Sequence, residues 1–122
     1  VVEVEADESF NGFASYVNQS IPLIVLNKYF NKALDRKRFT ILHELGHLIL
    51  QFDGLDKSGI EKACNRFASA LLLPEKSLYR ELGERRNQLN MAELGKIKMQ
   101  YGISMAAVLY RANDLCIISD LH

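Results

Sequence analysis

Residues 38–50 read R-F-T-I-L-H-E-L-G-H-L-I-L and form a strongly periodic stretch of the sequence. Its apolar residues recur every three or four positions, which predicts an amphipathic helix over residues 37–52. The helix contains an H-E-x-x-H pattern, so His43 and His47 lie one turn apart on one face, with Glu44 beside them. Neutral imidazoles bind Zn²⁺ well, and a bound metal activates water. The pattern therefore predicts a catalytic metal site with Glu44 as the general base.

Gly46 lies inside this helical pattern. Glycine destabilises a helix interior by about 1 kcal/mol relative to alanine, so we expect another backbone element to approach closely there. A solvated polar stripe is the simpler interpretation of two histidines and a glutamate on one helix. Two features favour the metal site instead: His43 and His47 are two of only three histidines in the chain, and the helix follows a predicted strand.

A catalytic metal site needs a third protein ligand, and the downstream candidates are Asp53, Asp56, Glu61 and His122. Glu61 is favoured because it lies near the start of the next predicted helix, which opens with Ser58, and Asn65 lies one turn further on the same face. The Asn65 amide can then form a hydrogen bond with a ligand histidine. However, residues 58–61, S-G-I-E, also fit a capping box in which Glu61 reaches back to the backbone N–H of Ser58. Spacing alone divides these two roles evenly.

The rest of the chain predicts strands before this helix and shorter helices after it. Two runs rich in aromatic and β-branched residues predict a β-hairpin, and helical patterns with Asn90 and Ser104 as N-caps continue to residue 115. The fold class is therefore α+β, with a small N-terminal antiparallel β-hairpin or sheet packed on a mainly helical core that carries the predicted metal site. We expect one domain over residues 1–122, cut from a longer chain. Its parts are a partly ordered lead-in or partly paired strand (1–11), the hairpin (12–27), the active-site helix pair (37–74) and the C-terminal helices (75–122).

Composition narrows the class of partner. Fifteen basic residues balance fifteen acidic ones, so the chain has no overall field that attracts nucleic acid or an anionic membrane. No apolar run approaches the roughly 20 residues of a membrane helix, which predicts a soluble protein. Two cysteines, Cys64 and Cys116, are too few for a disulfide framework, which predicts reduced thiols in a cytoplasmic protein.

Residues 92–115 look like a helix-turn-helix. The second of these helices has one basic residue, Arg111, beside Asp114, so we expect it to pack against the core and not to bind DNA.

Two motifs in order resemble the ImmA/IrrE family of small intracellular metallopeptidases. They are residues 38–50 and residues 61–68, E-K-A-C-N-R-F-A, the second followed by L-L-L-P at 71–74. The resemblance covers about residues 12–119. It implies that His43, His47 and Glu61 bind the metal, that Glu44 is the general base, and that Asn65 supports a ligand. Cys64 departs from the usual alanine, and a thiol near zinc can be redox-sensitive.

The resemblance implies a bacterial or phage-type zinc endopeptidase of the gluzincin-like type, with one Zn²⁺ per chain and Mn²⁺ or Fe²⁺ as alternatives. Its substrate is expected to be a regulatory protein of a mobile-element or stress circuit, either a helix-turn-helix transcriptional repressor or an antitoxin-type partner. We expect the peptide to lie as an added strand along the hairpin's free edge. The candidate donors to the oxyanion are Tyr16, Tyr29, Tyr79, Tyr101, Tyr110 and Arg38. The alternative function is a metal-containing regulatory module that binds its partner without proteolysis.

Overall fold

The computed structural model of the chain describes residues 1–7 and 9–119. Within these residues a three-stranded sheet is followed by five α-helices, so the α+β prediction is confirmed. His122, one of the third-ligand candidates, lies outside the described residues. The elements are β1 (Val2–Val4), β2 (Gly12–Val17), β3 (Ile21–Asn27), a 3₁₀ turn (Lys28–Phe30), α1 (Leu34–Ile49), α2 (Lys57–Leu72), α3 (Glu75–Leu82), α4 (Met91–Tyr101) and α5 (Met105–Asp114).

The sheet has the strand order β1-β3-β2, with the hairpin's second strand in the centre. β2 and β3 are antiparallel, from the Gly12 and Leu26 pair to the Val17 and Ile21 pair, as the hairpin prediction requires. The lead-in contains β1, which pairs with β3 in parallel over residues 25–27. Of the two hairpin strands, β2 is therefore the one at an edge of the sheet in the described part of the chain.

Asn27 connects the three strands. Its side chain is fully buried, and its Nδ2 donates hydrogen bonds to the carbonyl oxygens of Ala6 (3.2 Å) and Phe10 (3.1 Å). Its Oδ1 accepts hydrogen bonds from the backbone N–H groups of Ala6 (3.3 Å) and Tyr29 (3.1 Å). A buried amide with such partners satisfies backbone N–H and C=O groups that have no partner in a helix or sheet, and so stabilises irregular backbone. The link between β1 and β2 is thereby held against the end of β3.

Helix ends follow local capping chemistry. α1 begins at Leu34 and ends at Ile49, three residues before the predicted positions at both ends. For α2 the capping-box alternative, with Ser58 as the N-cap, was wrong: the Oδ1 of Asp56 accepts the Gly59 N–H (2.8 Å). The carbonyl of Asp56 also accepts the first intrahelical bond, from Ile60 (2.9 Å), so the helix starts earlier than its serine suggested.

Later caps agree with the sequence. Asn90 and Glu93 form a reciprocal capping box at the start of α4, and the Ser104 side chain accepts the N–H of Ala107 at the start of α5. Both predicted N-caps are confirmed. Within residues 1–7 and 9–119, no helix has the length and apolar character needed to cross a membrane.

The chain forms two compact units, Val1–Ala68 and Ser69–His122. In the first unit α1 packs on β2 and β3, with Leu26 fully buried beneath it. In the second unit Arg111 is buried, and its Nε donates a hydrogen bond to the carbonyl oxygen of Leu73 (3.0 Å). Because this guanidinium is used inside the unit, it is not displayed for phosphate contact, which agrees with the packing role expected for α5.

Candidate metal centre

Helices α1 and α2 bring two imidazoles and one carboxylate together. The Oε2 of Glu61 lies 2.9 Å from the Nε2 of His43, and its Oε1 lies 3.0 Å from the Nε2 of His47. The two imidazole ring centroids are 5.0 Å apart, as expected for residues four apart on a helix. The carboxylate of Glu61 therefore spans both ring nitrogens. This contact favours the ligand role over the capping role.

Asn65 determines which nitrogen of His43 is free. The Nδ1 of His43 lies 2.7 Å from the Oδ1 of Asn65. With the amide oxygen facing the ring, the nitrogen must donate, so Nδ1 carries the proton and Nε2 presents a lone pair. That lone pair points to the carboxylate of Glu61. Two acceptors this close require a cation or a proton between them.

The donor set fits a divalent metal. Two imidazole nitrogens and one carboxylate form a common three-ligand set for catalytic Zn²⁺, with one coordination position left for water or substrate. In metal sites, the ring of a histidine ligand is usually oriented by a hydrogen bond from its other nitrogen to an oxygen acceptor. The potential ligand atoms of His43, Glu44 and His47 also lie within 4.8 Å of one another. The residues present thus match a metal site in chemistry and in orientation.

Glu44 is the buried acidic group of this cluster. It is 7% exposed, and one of its carboxylate oxygens lies 4.0 Å from the Nε2 of His43. Burial raises the pKa of Glu44, and the nearby charge of Glu61 adds to this rise, whereas His43 and His47 act in the opposite direction. A carboxylate with a raised pKa next to a cluster of metal-type ligands has the properties of a proton acceptor.

Close packing between Gly46 and Cys64 sets the distance between the two helices. A Cβ on Gly46 would lie 3.2 Å from the Sγ of Cys64 and 3.3 Å from both its Cα and its Cβ. The expected close approach at Gly46 is therefore confirmed, and the approaching element is α2. Cys64 lies on the same side of α2 as Glu61 and Asn65, at helical spacing. The helix contact and the proposed ligands are thus parts of one interface.

Cys64 is fully buried, and its thiol is protonated at neutral pH. Burial, with smaller contributions from Glu61 and Glu44, raises the pKa of Cys64 to about 11. Because the thiolate is the reactive form, the site gives no support to a redox role for this residue. Its small size is what the contact with Gly46 uses.

Strand β2 runs alongside α1 and passes Glu44. At one end a Cβ on Gly12 would lie 3.2 Å from the Cγ2 of Thr40, and at the other the Tyr16 hydroxyl donates to the carbonyl oxygen of Leu48 (3.3 Å). Four strand residues span about 13 Å and eight helical residues about 12 Å, so the two segments match in length. These two end contacts place Ala14, midway between Gly12 and Tyr16, approximately level with Glu44, midway between Thr40 and Leu48. The sequence carried no signal for this alignment, because it depends on how the sheet packs on the helix.

The other sequence candidates have contacts or exposure of their own. Asp56 caps α2, and Asp53 is exposed. Among the candidate oxyanion donors, the hydroxyl of Tyr16 contacts α1 one residue beyond His47. Within the second unit, the hydroxyls of Tyr79 and Tyr101 bond to the Leu115 carbonyl oxygen and to Glu81.

Comparison with known proteins adds one family. The family model Peptidase_M78, described as the IrrE N-terminal-like domain, matches residues 2–113. The match extends over β1, which the motif resemblance did not include, and continues into α5. A search of curated proteins finds no match to this chain.

Proposed function

The chain belongs to the IrrE N-terminal-like family of metallopeptidases, and we propose that it is a zinc-dependent endopeptidase with His43, His47 and Glu61 as metal ligands. The observation that supports these ligands best is the position of the Glu61 carboxylate, 2.9 and 3.0 Å from the two Nε2 atoms. The Asn65 contact with Nδ1 leaves the Nε2 of His43 available for a metal. Zn²⁺ is favoured over Mn²⁺ or Fe²⁺ because two of three ligands are imidazoles.

Residues of this chain have distinct roles in the proposed hydrolysis. A Zn²⁺ at this site would polarise the scissile carbonyl and lower the pKa of water. Glu44 takes the proton of the attacking water and transfers it to the departing amine nitrogen. A raised pKa suits a group that must both accept and release a proton near neutral pH. Asn65 keeps His43 oriented throughout.

The peptide is proposed to bind as an additional strand on the edge of β2. Main-chain hydrogen bonds along an exposed strand hold an extended peptide without requiring a particular sequence. Because Ala14 lies level with Glu44, a peptide bound there passes beside the proposed base. The motif resemblance suggests that the natural substrate is a regulatory protein in the bacterial cytoplasm, such as a helix-turn-helix repressor or an antitoxin-type partner.

Metal analysis tests the ligand assignment. Protein purified without chelator should contain one zinc per chain, and His43→Ala and Glu61→Ala should each lose it. Asp53→Ala is the matched control, because this exposed carboxylate was a sequence candidate for the same role. It should retain the metal. A His43→Ala protein that is as fully loaded as the wild type refutes the site.

Glu44→Gln tests whether the site performs hydrolysis. The substitution keeps the shape of the side chain but removes the proton acceptor, so the variant should bind zinc and produce no cleavage product. If it instead retains the full biological effect on a regulatory partner, the protein acts by binding, as the non-proteolytic alternative states.

A further inference from the structure

The outward backbone groups of β2 can be assigned from its pairing. The Asn27 N–H donates to the Asn11 carbonyl oxygen (3.0 Å), and these residues continue the antiparallel register by one pair. Hydrogen-bonded pairs alternate along antiparallel strands, so every second residue of β2 directs its N–H and C=O away from β3. The residues with outward backbone groups are Gly12, Ala14 and Tyr16. The middle one lies level with Glu44.

The other residues of β2 determine what lies beside this edge. Phe13, Ser15 and Val17 place their side chains on the face of the sheet opposite to α1, because side chains alternate along a strand. Phe13 is 47% exposed and Val17 is 42% exposed, although both are large and apolar. The ring of Phe10 lies 5.8 Å from that of Phe13, and Ile21, exposed as well, pairs with Val17. Two apolar patches therefore flank a polar Ser15 along the strand.

We propose that Phe13 and Val17 select the substrate, so that the preferred peptide has apolar residues at two positions four apart, with the scissile bond between them. A strand added to β2 places the side chains opposite Phe13 and Val17 on that same face, at about 4.5–5.5 Å. Ala14, the residue of β2 beside Glu44, lies between Phe13 and Val17 along the strand. The occupant of the exposed face is thus an extended substrate with apolar side chains at these two positions. This inference rests on the proposed function, because it places the substrate beside Glu44.

Cleavage of a degenerate decapeptide library tests the proposal. The zinc-loaded wild type is incubated with the library, and the products are sequenced. Apolar residues should be enriched at two positions four apart that bracket the cleaved bond. Val17→Ser should lower kcat/KM for the best peptide about two- to fivefold, mainly through KM, and should remove the preference at one position. Phe13→Ser should remove the preference at the other.

Val2→Ser is the matched control. Val2 lies on the same face of the sheet and is 44% exposed, but it belongs to β1 at the opposite edge. Its substitution should leave the cleavage preference, kcat/KM and zinc content unchanged. Cleavage by the wild type without the four-residue spacing, or an equal effect of Val2→Ser and Val17→Ser, overturns this inference and leaves the proposed function intact. A zinc-loaded wild type that cleaves no member of the library overturns both.

Discussion

Replacing Gly46 with alanine tests whether contact between α1 and α2 holds the proposed ligands together. Alanine stabilises a helix interior by about 1 kcal/mol relative to glycine. The new Cβ, however, would lie 3.2–3.3 Å from three atoms of Cys64, closer than the roughly 3.5–4.0 Å of an ordinary carbon contact. Two of those atoms, Cα and Cβ, move only with helix α2. Overpacking of this kind costs about 1–3 kcal/mol, so the net loss in the free energy of unfolding should be about 0–2 kcal/mol.

Gly95→Ala provides the matched control for helix propensity. Gly95 lies inside α4, and a Cβ there would meet only the flexible end of Met105, at 3.6 Å. This variant should gain about 1 kcal/mol. Urea unfolding of both variants in chelator measures the difference. Gly46→Ala should also bind zinc more weakly, because Glu61 lies on the helix that must move. If Gly46→Ala gains as much stability as Gly95→Ala and keeps its zinc affinity, the close contact does not set the site.

Three further outcomes follow from individual contacts. Asn65→Leu should weaken zinc binding about 10–100-fold in a chelator competition, because His43 loses its orienting partner, and unchanged affinity would contradict the role given to Asn65. In metal-free protein, burial raises the pKa of Glu44 above its value in the unfolded chain. The protonated carboxyl therefore contributes fully to stability below the unfolded pKa. This contribution is lost as pH rises through the folded pKa. Glu44→Gln should therefore be more stable than the wild type at pH 8, with a smaller advantage at pH 4, in denaturant unfolding. The hydrogen bonds from Arg86 to Glu93 (2.7 and 3.0 Å) lower the pKa of Glu93, so their contribution is present above its unfolded pKa and is lost as pH falls through the folded value. Arg86→Met should thus reduce stability at pH 7 but not at pH 3, and a loss of equal size at both pH values would refute this account.

Local spacing predicted the parts of the site that lie on one helix. His43, Glu44 and His47 are placed by helical geometry alone, so their proximity follows once the helix is identified. The role of Glu61 does not follow from one helix, because its carboxylate can reach either the start of α2 or the histidines of α1. The deciding quantity is the distance between α1 and α2, which the contact of Gly46 with α2 sets. The sequence indicated a close approach at that glycine but not its partner.

The part of the fold that the sequence left open is the pairing of its first residues. A three-residue strand has too little pattern to predict a partner, and β1 pairs in parallel with residues more than twenty positions away. The buried amide of Asn27 holds the segment between β1 and β2. The sequence does not indicate that this one side chain forms hydrogen bonds with four backbone groups. The cap of α2 was missed for a similar reason, since Asp56 and Ser58 are both good caps and only the helix start distinguishes them.

The two outer strands of the sheet differ in how readily another chain can join them. β1 is three residues long and carries Glu3, which forms an ion pair with Lys37. Short, charged edge strands resist pairing with other chains. β2 is twice as long and displays Phe13 and Val17, so it is the edge to which we assign the proposed peptide strand. Edge-to-edge pairing with another chain leads to aggregation in most proteins. Here such pairing is proposed at the strand beside Glu44, where the proposed hydrolysis would cleave the paired chain.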